Sequence, residues 1–358
     1  ILLFYSMLNY GGLYQNQSAI LFGYFVFWVF LLFILLSYFI FKITPSLILI
    51  LLTYLFLSFW TVFTSPNPQV DTIVVLKEAP LMILRGKNPY SGTFSKVYPN
   101  IVPNYYNYLP GSILLTLPFV IIFSDPRYLI IFSNLISSII LYKLCYKTKK
   151  NKSILFFIIT FLFLPGSFYM LEHAYLDSVI FSLFLIFIYL YNRGFVNISY
   201  IFLSLYFSIK QPLIITFPFY FNKKFLINFL NFKNLLFFII PILPTVLFFL
   251  INHQAFIEDT ITGLNPNTIT SPIQLSLTLQ TFLKIYLPNL STLSINIIGI
   301  ILLMVSYSFI IRNKSSLAFK TFFSLFCFNF FMYHAFFNNY FLTAQYLLFD
   351  IILDYFHL

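Results

Sequence analysis

The chain has 358 residues, 60% of them hydrophobic and only 8% charged, whereas soluble domains carry about 25% charged residues. That composition excludes a water-soluble surface. A net charge of +11, from 20 basic and 9 acidic residues, would suggest nucleic acid in a soluble protein. In a chain built of long apolar runs it fits loops that collect Lys and Arg on the cytoplasmic side, so no nucleic-acid partner is expected. Two cysteines, Cys145 and Cys327, form neither a disulfide framework nor a zinc-ligand spacing.

In chain order, the sequence opens on Ile1 rather than Met, which reads as the stub of a longer or processed N-terminus. Apolar runs then predict membrane spans at 19–41, 46–63, 128–144, 154–171, 177–191, 195–209, 212–221, 235–251, 292–311, 316–333 and 341–356. The run 111–123 lies between Pro110 and Ser124-Asp125-Pro126. It falls short of the roughly 20 residues a crossing needs and reads as a re-entrant or interfacial helix. The run 212–221 is also short and reads as half of a broken helix. The expected fold class is therefore all-α, a polytopic transmembrane bundle of about 11 spans plus that extra helix.

Basic clusters orient the spans. Lys42, "YKLCYKTKKNK" at 142–152, "YNRG" at 191–194, "NKK" at 222–224 and "RNK" at 312–314 fall on one side if 111–123 does not cross. The opposite, external or lumenal side then receives 1–18, 64–127, 172–176, 210–211, 252–291 and 334–340. Only 64–127 and 252–291 are long enough to fold into anything, so the chain reads as one membrane domain, 1–358, with two substantial external loops. No internal repeat is visible.

Chemistry-bearing residues gather on that external side. Asp71 opens "DTIVVLKEAPLMILRG", whose apolar stripe predicts an amphipathic helix. Glu78 lies seven residues on and shares a face with Asp71, while Pro80 is expected to kink or end the helix. Arg85 and Lys87 flank Gly86, which suits a helix C-cap, and Asn88-Pro89 suits the start of a turn. "LEHAYLDS" places Glu172, His173 and Asp177 at one span end, and "IKQP" places Lys210 and Gln211 at another. "YHAFFNNYFLTAQY" adds His334, Asn338, Asn339, Tyr340 and Gln345. Taken singly, each of these is most simply a wet residue at a helix end, and Lys210 a snorkelling interfacial lysine. Their convergence on one side suits the handling of a phosphate-bearing amphiphile at the bilayer surface.

"VDTIVVLKEAPLMILRGKNPY", followed by "YNYLPG", resembles the GT-C superfamily of glycosyltransferases that use polyprenol-phosphate sugars, in particular GPI mannosyltransferase I and related prokaryotic mannosyltransferases. "AYLDSVIFSLFLIFIYLYNRG", "SIKQPLIITFPF" and "NNYFLTAQYLLF" extend the likeness in the same order from about residue 70 to the end. A second acid beside Asp71, common in that family, is missing here.

The resemblance implies an integral-membrane enzyme that moves a sugar, mannose by family expectation, from a polyprenyl-phosphate donor to a lipid- or protein-linked glycan, with inversion. It implies Asp71 as the catalytic base or acceptor-orienting carboxylate and Lys210 as the ligand of the donor phosphate. Gln211, Glu78, Arg85, Lys87, His173, Asp177, Asn339 and Tyr340 follow as substrate-contacting candidates. No cofactor is implied, and no His/Cys/Asp cluster has the spacing to hold a divalent cation. The membrane would be a prokaryotic plasma membrane or the endoplasmic reticulum, with the site on its external or lumenal face. The rival expectations are a transporter or flippase for a lipid-linked sugar, a polymerase or ligase of lipid-linked glycans, and a non-catalytic scaffold.

Overall fold

The computed structural model describes Val29 and residues 46–97, 102–146, 153–164, 166–221, 223–261, 276–287, 289, 291–331 and 335–357. The expected span 19–41 (Val29 apart), Lys42, residues 147–152 of the first large basic cluster, and His334 lie outside the described residues.

Among the described residues the regular secondary structure is all helical, with no strand. In order the helices are α1 Leu47–Thr64, α2 Asp71–Leu84, α3 Gly111–Phe123, α4 Arg127–Cys145, α5 Ser153–Leu162, α6 Ser167–Glu172, α7 Asp177–Asn192, α8 Val196–Phe207, α9 Lys223–Phe229, α10 Phe232–Ile251, α11 His253–Thr260, α12 Leu279–Tyr286, α13 Thr292–Arg312, α14 Leu317–Phe331 and α15 Phe337–Phe356. Two 3-10 helices, Pro89–Ser91 and Gln211–Tyr220, interrupt the series.

Four described helices, α1, α4, α10 and the Ser294–Arg312 stretch of α13, are long and apolar enough to cross a membrane. This is the build of an α-helical membrane protein. It does not match the expected eleven spans, for reasons visible in the chain. The run 154–171 is broken into α5 and α6, and just before α6 Gly166 takes φ +87°. The run 212–221 forms a 3-10 helix, not half of an α-helix. Helices α7 and α8 hold 16 and 12 residues, or about 24 and 18 Å at 1.5 Å per residue, against a hydrocarbon core of about 30 Å.

Of these two, α7 is interior, while α8 is buried along one face. α7 is apolar all round because it is enclosed by α4, α8 and α15. Its Phe184 meets Tyr346 of α15 edge-on, with ring centroids 4.9 Å apart. The outer helices behave differently: only 17% of the apolar stretch of α10 or of α13 is covered by protein, against 56% for α4. Much of their apolar surface is left for hydrocarbon.

Local sequence explains the ends. Ser46 caps α1 by accepting the Leu49 N–H at 3.2 Å. α2 ends in a Schellman turn: Lys87 N–H donates to Met82 O and Gly86 N–H to Ile83 O, each at 2.9 Å, with Gly86 at φ +70°. Pro80 does not end α2; it lies inside the helix, buried. Between α1 and α4, the wholly buried Arg127 grips Asp125 (Nη2–Oδ2 2.6 Å) and donates to Ser65 O at 2.7 Å. The 64–127 segment is thereby closed at its base.

Candidate functional site

The site is built where three segments meet: the start of α2, the extended stretch 102–109, and the junction of α8 with the long 3-10 helix. Asp71 is the first residue of α2, where the helix N-terminus favours a negative charge. Its Oδ1 accepts the Thr72 N–H at 2.8 Å, and its Oδ2 accepts the Tyr105 hydroxyl at 2.5 Å. Two turns on, Glu78 accepts the Ser95 N–H at 2.9 Å, so it fastens the chain that returns after the Gly86 turn.

Asn88 caps the short 3-10 turn by accepting the Tyr90 N–H at 3.0 Å, and the buried Tyr90 hydroxyl donates to Tyr108 O at 2.9 Å. The "GKNPY" turn therefore holds the "YYNYLP" stretch in place. Arg85 and Lys87, on the same turn, are exposed and have no side-chain partner among the described residues.

Tyr105, Tyr106 and Tyr108 then separate by role. Tyr105 reaches Asp71. Tyr106 buries its ring and pairs its hydroxyl with Ser112 Oγ at 2.7 Å. Tyr108 lies with its ring face 5.9 Å from Lys210 Nζ, a cation–π distance. The next residues are joined to the "SIKQ" segment: Leu109 N–H donates to Ile209 O at 2.9 Å and Gly111 N–H to Ser208 O at 2.8 Å. Gln211 Nε2 adds a bond to Asn107 O at 3.0 Å. Gly111 is required there, because a Cβ would come within 2.5 Å of Ser208 O.

Lys210 is not a free cation. Its Nζ lies 2.8 Å from Oδ1 of Asp177, whose side chain is 0% exposed, while that of Lys210 is 16% exposed. Asp177 Oδ2 is buried and makes no hydrogen bond. Below it, Gln345 donates to Ser178 Oγ at 3.3 Å.

His173 follows α6, its ring 4.0 Å from Tyr169 and parallel to Tyr175. Nδ1 lies 3.0 Å from Tyr169 O, so it carries the proton and donates, leaving Nε2 as an acceptor. Burial lowers the His173 pKa, against upward pulls from Glu172, the Tyr169 carbonyl and Asp71. The same field ties the carboxylates together. Tyr108 and Tyr175 are both pushed up, first by burial, and each also feels Asp71 and Asp177. Asp71, His173, Asp177 and Lys210 thus share one tyrosine-lined patch. It offers an acceptor carboxylate, a neutral imidazole, and an ammonium with donors beyond its ion pair.

The patch sits at one end of the bundle. Asp177 starts α7 and Arg193 follows its last residue; Lys143 occupies the last turn of α4, whose first residue is Arg127. A largely apolar cavity of about 460 Å³ lies at the Arg193 end, among Leu144, Phe187, Tyr191, Tyr220 and Leu353, away from this chemistry.

Asn339 and Tyr340 lie on α15, whose Phe337 packs edge-on against Tyr169 with ring centroids 5.7 Å apart, but no bond joins them directly to Asp71, His173, Asp177 or Lys210 among the described residues. They occupy the first turn of α15, where Asn339 O accepts from Asn329 Nδ2 at 3.3 Å and Tyr340 donates to Leu277 O at 2.5 Å. Among the described residues, no group of three His, Cys, Asp or Glu side chains is placed to hold a metal ion.

The sequence reading missed two features. The first is the role of Tyr105 and Tyr175, signalled only by the density of tyrosines. The second is Asp259 on α11, whose Oδ2 accepts the Tyr106 N–H at 2.8 Å from 153 residues away. Its only mark in the sequence is the acidic pair Glu258-Asp259 inside a long polar loop. No known family model matches the chain, and no curated protein matches it.

Proposed function

We propose that this chain is an integral-membrane glycosyltransferase of the GT-C kind, transferring a sugar, mannose by that likeness, from a polyprenyl phosphate to a hydroxyl of a lipid- or protein-linked glycan. The observation that carries the reading is convergence. Asp71, the "GKNPY" turn, the "YNYLPG" stretch, Asp177 and Lys210 are spread over 140 residues of sequence, yet they are joined by direct hydrogen bonds and one ion pair.

In this reading Asp71 removes the proton of the acceptor hydroxyl, or orients that hydroxyl, as the sugar leaves its phosphate. Tyr105 holds the carboxylate and keeps its second oxygen directed. Lys210 uses its remaining N–H donors on the departing phosphate, where a fixed cation stabilises developing charge. Asp177 keeps the ammonium aimed. His173, neutral with Nε2 as acceptor, lines the sugar side. The single carboxylate aligned for proton removal favours one displacement with inversion. The Lys143 and Arg193 helix ends lie at the end of the bundle away from the patch, which by the positive-inside rule supports an external or lumenal patch.

The test is direct. Purified chain in bilayers is given a radiolabelled polyprenyl-phosphate sugar and a glycolipid acceptor, and the product's anomeric configuration is read by NMR. Asp71-dependent transfer with inversion is expected. Movement of the labelled lipid across the bilayer without transfer would replace this reading with that of a carrier.

A further inference from the structure

Among the described residues, the second long loop reaches the site through α11. α11 packs on the 3-10 turn Pro89–Ser91. Phe256 lies 4.8 Å from Tyr90, and Asn252 Nδ2 donates to Ser91 Oγ at 3.0 Å. From that docked helix Asp259, 8% exposed, reaches the backbone N–H of Tyr106. The adjacent residue, Tyr105, is held from its other partner, Asp71. Two carboxylates from distant parts of the chain thus hold consecutive residues of one extended stretch that has no ladder or helix of its own to satisfy its amides.

We propose that Asp259 is a positioning residue, a latch from the second loop that sets the 105–108 stretch, and with it Tyr105 and Tyr108, over Asp71 and Lys210. Its role in the reaction rests on the transferase reading; the latch itself does not.

The surroundings make the latch sensitive to protons. Glu258 and His253 share its helix, and Tyr106 and Tyr90 face it from the packed segments. Among the described residues, Asp259 forms no ion pair. Burial is the main cause that lifts the Asp259 pKa to about 6, with the Tyr106 N–H opposing and Glu258 adding. A carboxyl with a raised pKa favours the closed state when protonated. The closed state should therefore tighten as pH falls from about 6 towards the ordinary carboxylate value of 3.8.

Hydrogen exchange of residues 103–108 tests this in the full chain without any substrate. Wild type should gain protection on acidification, after correction for intrinsic rates, by up to roughly a hundredfold. Asp259→Asn keeps an accepting oxygen and no charge, so its protection should be flat with pH. Asp259→Ala should speed exchange there at least about tenfold at neutral pH, with α4 unchanged. The latch is overturned if wild type and Asp259→Asn show the same pH profile, or if Asp259→Ala exchanges at the wild-type rate in 103–108. Loss of sugar transfer in wild type would strike the transferase reading and leave these outcomes intact.

Discussion

Lys210 Nζ stands 2.8 Å from Asp177 Oδ1, and the second oxygen of that fully buried carboxylate makes no hydrogen bond. The pair is both a structural element and, in the proposed reaction, the phosphate-binding element. The two roles separate on mutation. Lys210→Met leaves a buried charge uncompensated and should cost about 3–5 kcal/mol. Lys210→Met with Asp177→Leu removes both charges and should return close to wild-type stability by thermal unfolding in detergent, while transfer stays lost. Restored transfer in the double variant would show that Lys210 does not act on the phosphate.

Asp71→Asn preserves the shape that receives Tyr105 and removes the base. Transfer should fall by about 10²–10⁴-fold, with stability within about 1 kcal/mol of wild type. Tyr105→Phe keeps the base but frees its orientation, and a smaller loss is expected. A steady-state assay of both variants ranks them, and the opposite order would move the chemistry from Asp71 to the tyrosine.

Gly111→Ala and Gly86→Ala should differ in kind. An alanine Cβ at 111 would meet Ser208 Oγ at 2.0 Å and Ser208 O at 2.5 Å, so the junction must part, at a cost of about 1–3 kcal/mol. Transfer should fall with it, because Lys210 sits in the displaced segment. At 86 nothing lies within 4 Å, but φ is +70°. The cost there is about 1–2 kcal/mol of backbone strain, local to the turn. Thermal unfolding and activity measured together separate the two.

His173 and Asp259 should pull the pH dependence of stability in opposite directions. The His173 pKa is lowered by burial from 6.5, so its contribution is present above that value and is lost as pH falls below it. The Asp259 pKa is raised from 3.8 to about 6, so stability is gained as pH falls from about 6 towards 3.8. Between pH 7 and 5, His173→Gln should therefore gain stability on acidification relative to wild type, and Asp259→Asn should lose it. Melting temperatures across that range decide the matter.

Much of the architecture was legible because apolar runs and helix-end residues act locally. Gly86, Asn88-Pro89 and Pro110 mark turns wherever they fall, and the predicted short helix 111–123 is α3, Gly111–Phe123. Run length was the weaker guide. Hydropathy cannot distinguish a helix that faces lipid from one buried in protein, so α7 and α8 read as spans although they are too short to cross upright. Pro80 misled because a proline inside a helix can be accommodated when the helix is packed, and the break before Gly166 was hidden within an apolar run. In the site, acids and bases at helix ends could be read from the chain, but pairings across it could not. Nothing in the sequence shows that Lys210 is already bound to Asp177, that Glu78 serves a backbone amide, or that Asp259 comes from a loop 153 residues away.

The three bonds that join 107–111 to 208–211 have a mechanical consequence. They tie the segment bearing the Tyr108 ring to the segment bearing the Lys210 amine, so the two groups are positioned as one unit. The opposing side is the start of α2 with Asp71, joined across by the Tyr105 hydroxyl, and the turn that ends α2 is joined to the same stretch by the Tyr90 hydroxyl on Tyr108 O. A displacement of α2 would therefore be felt at the 105–108 stretch through two hydroxyls, Tyr105 and Tyr90, while the Tyr108–Lys210 pairing is set by the bonds between the two segments.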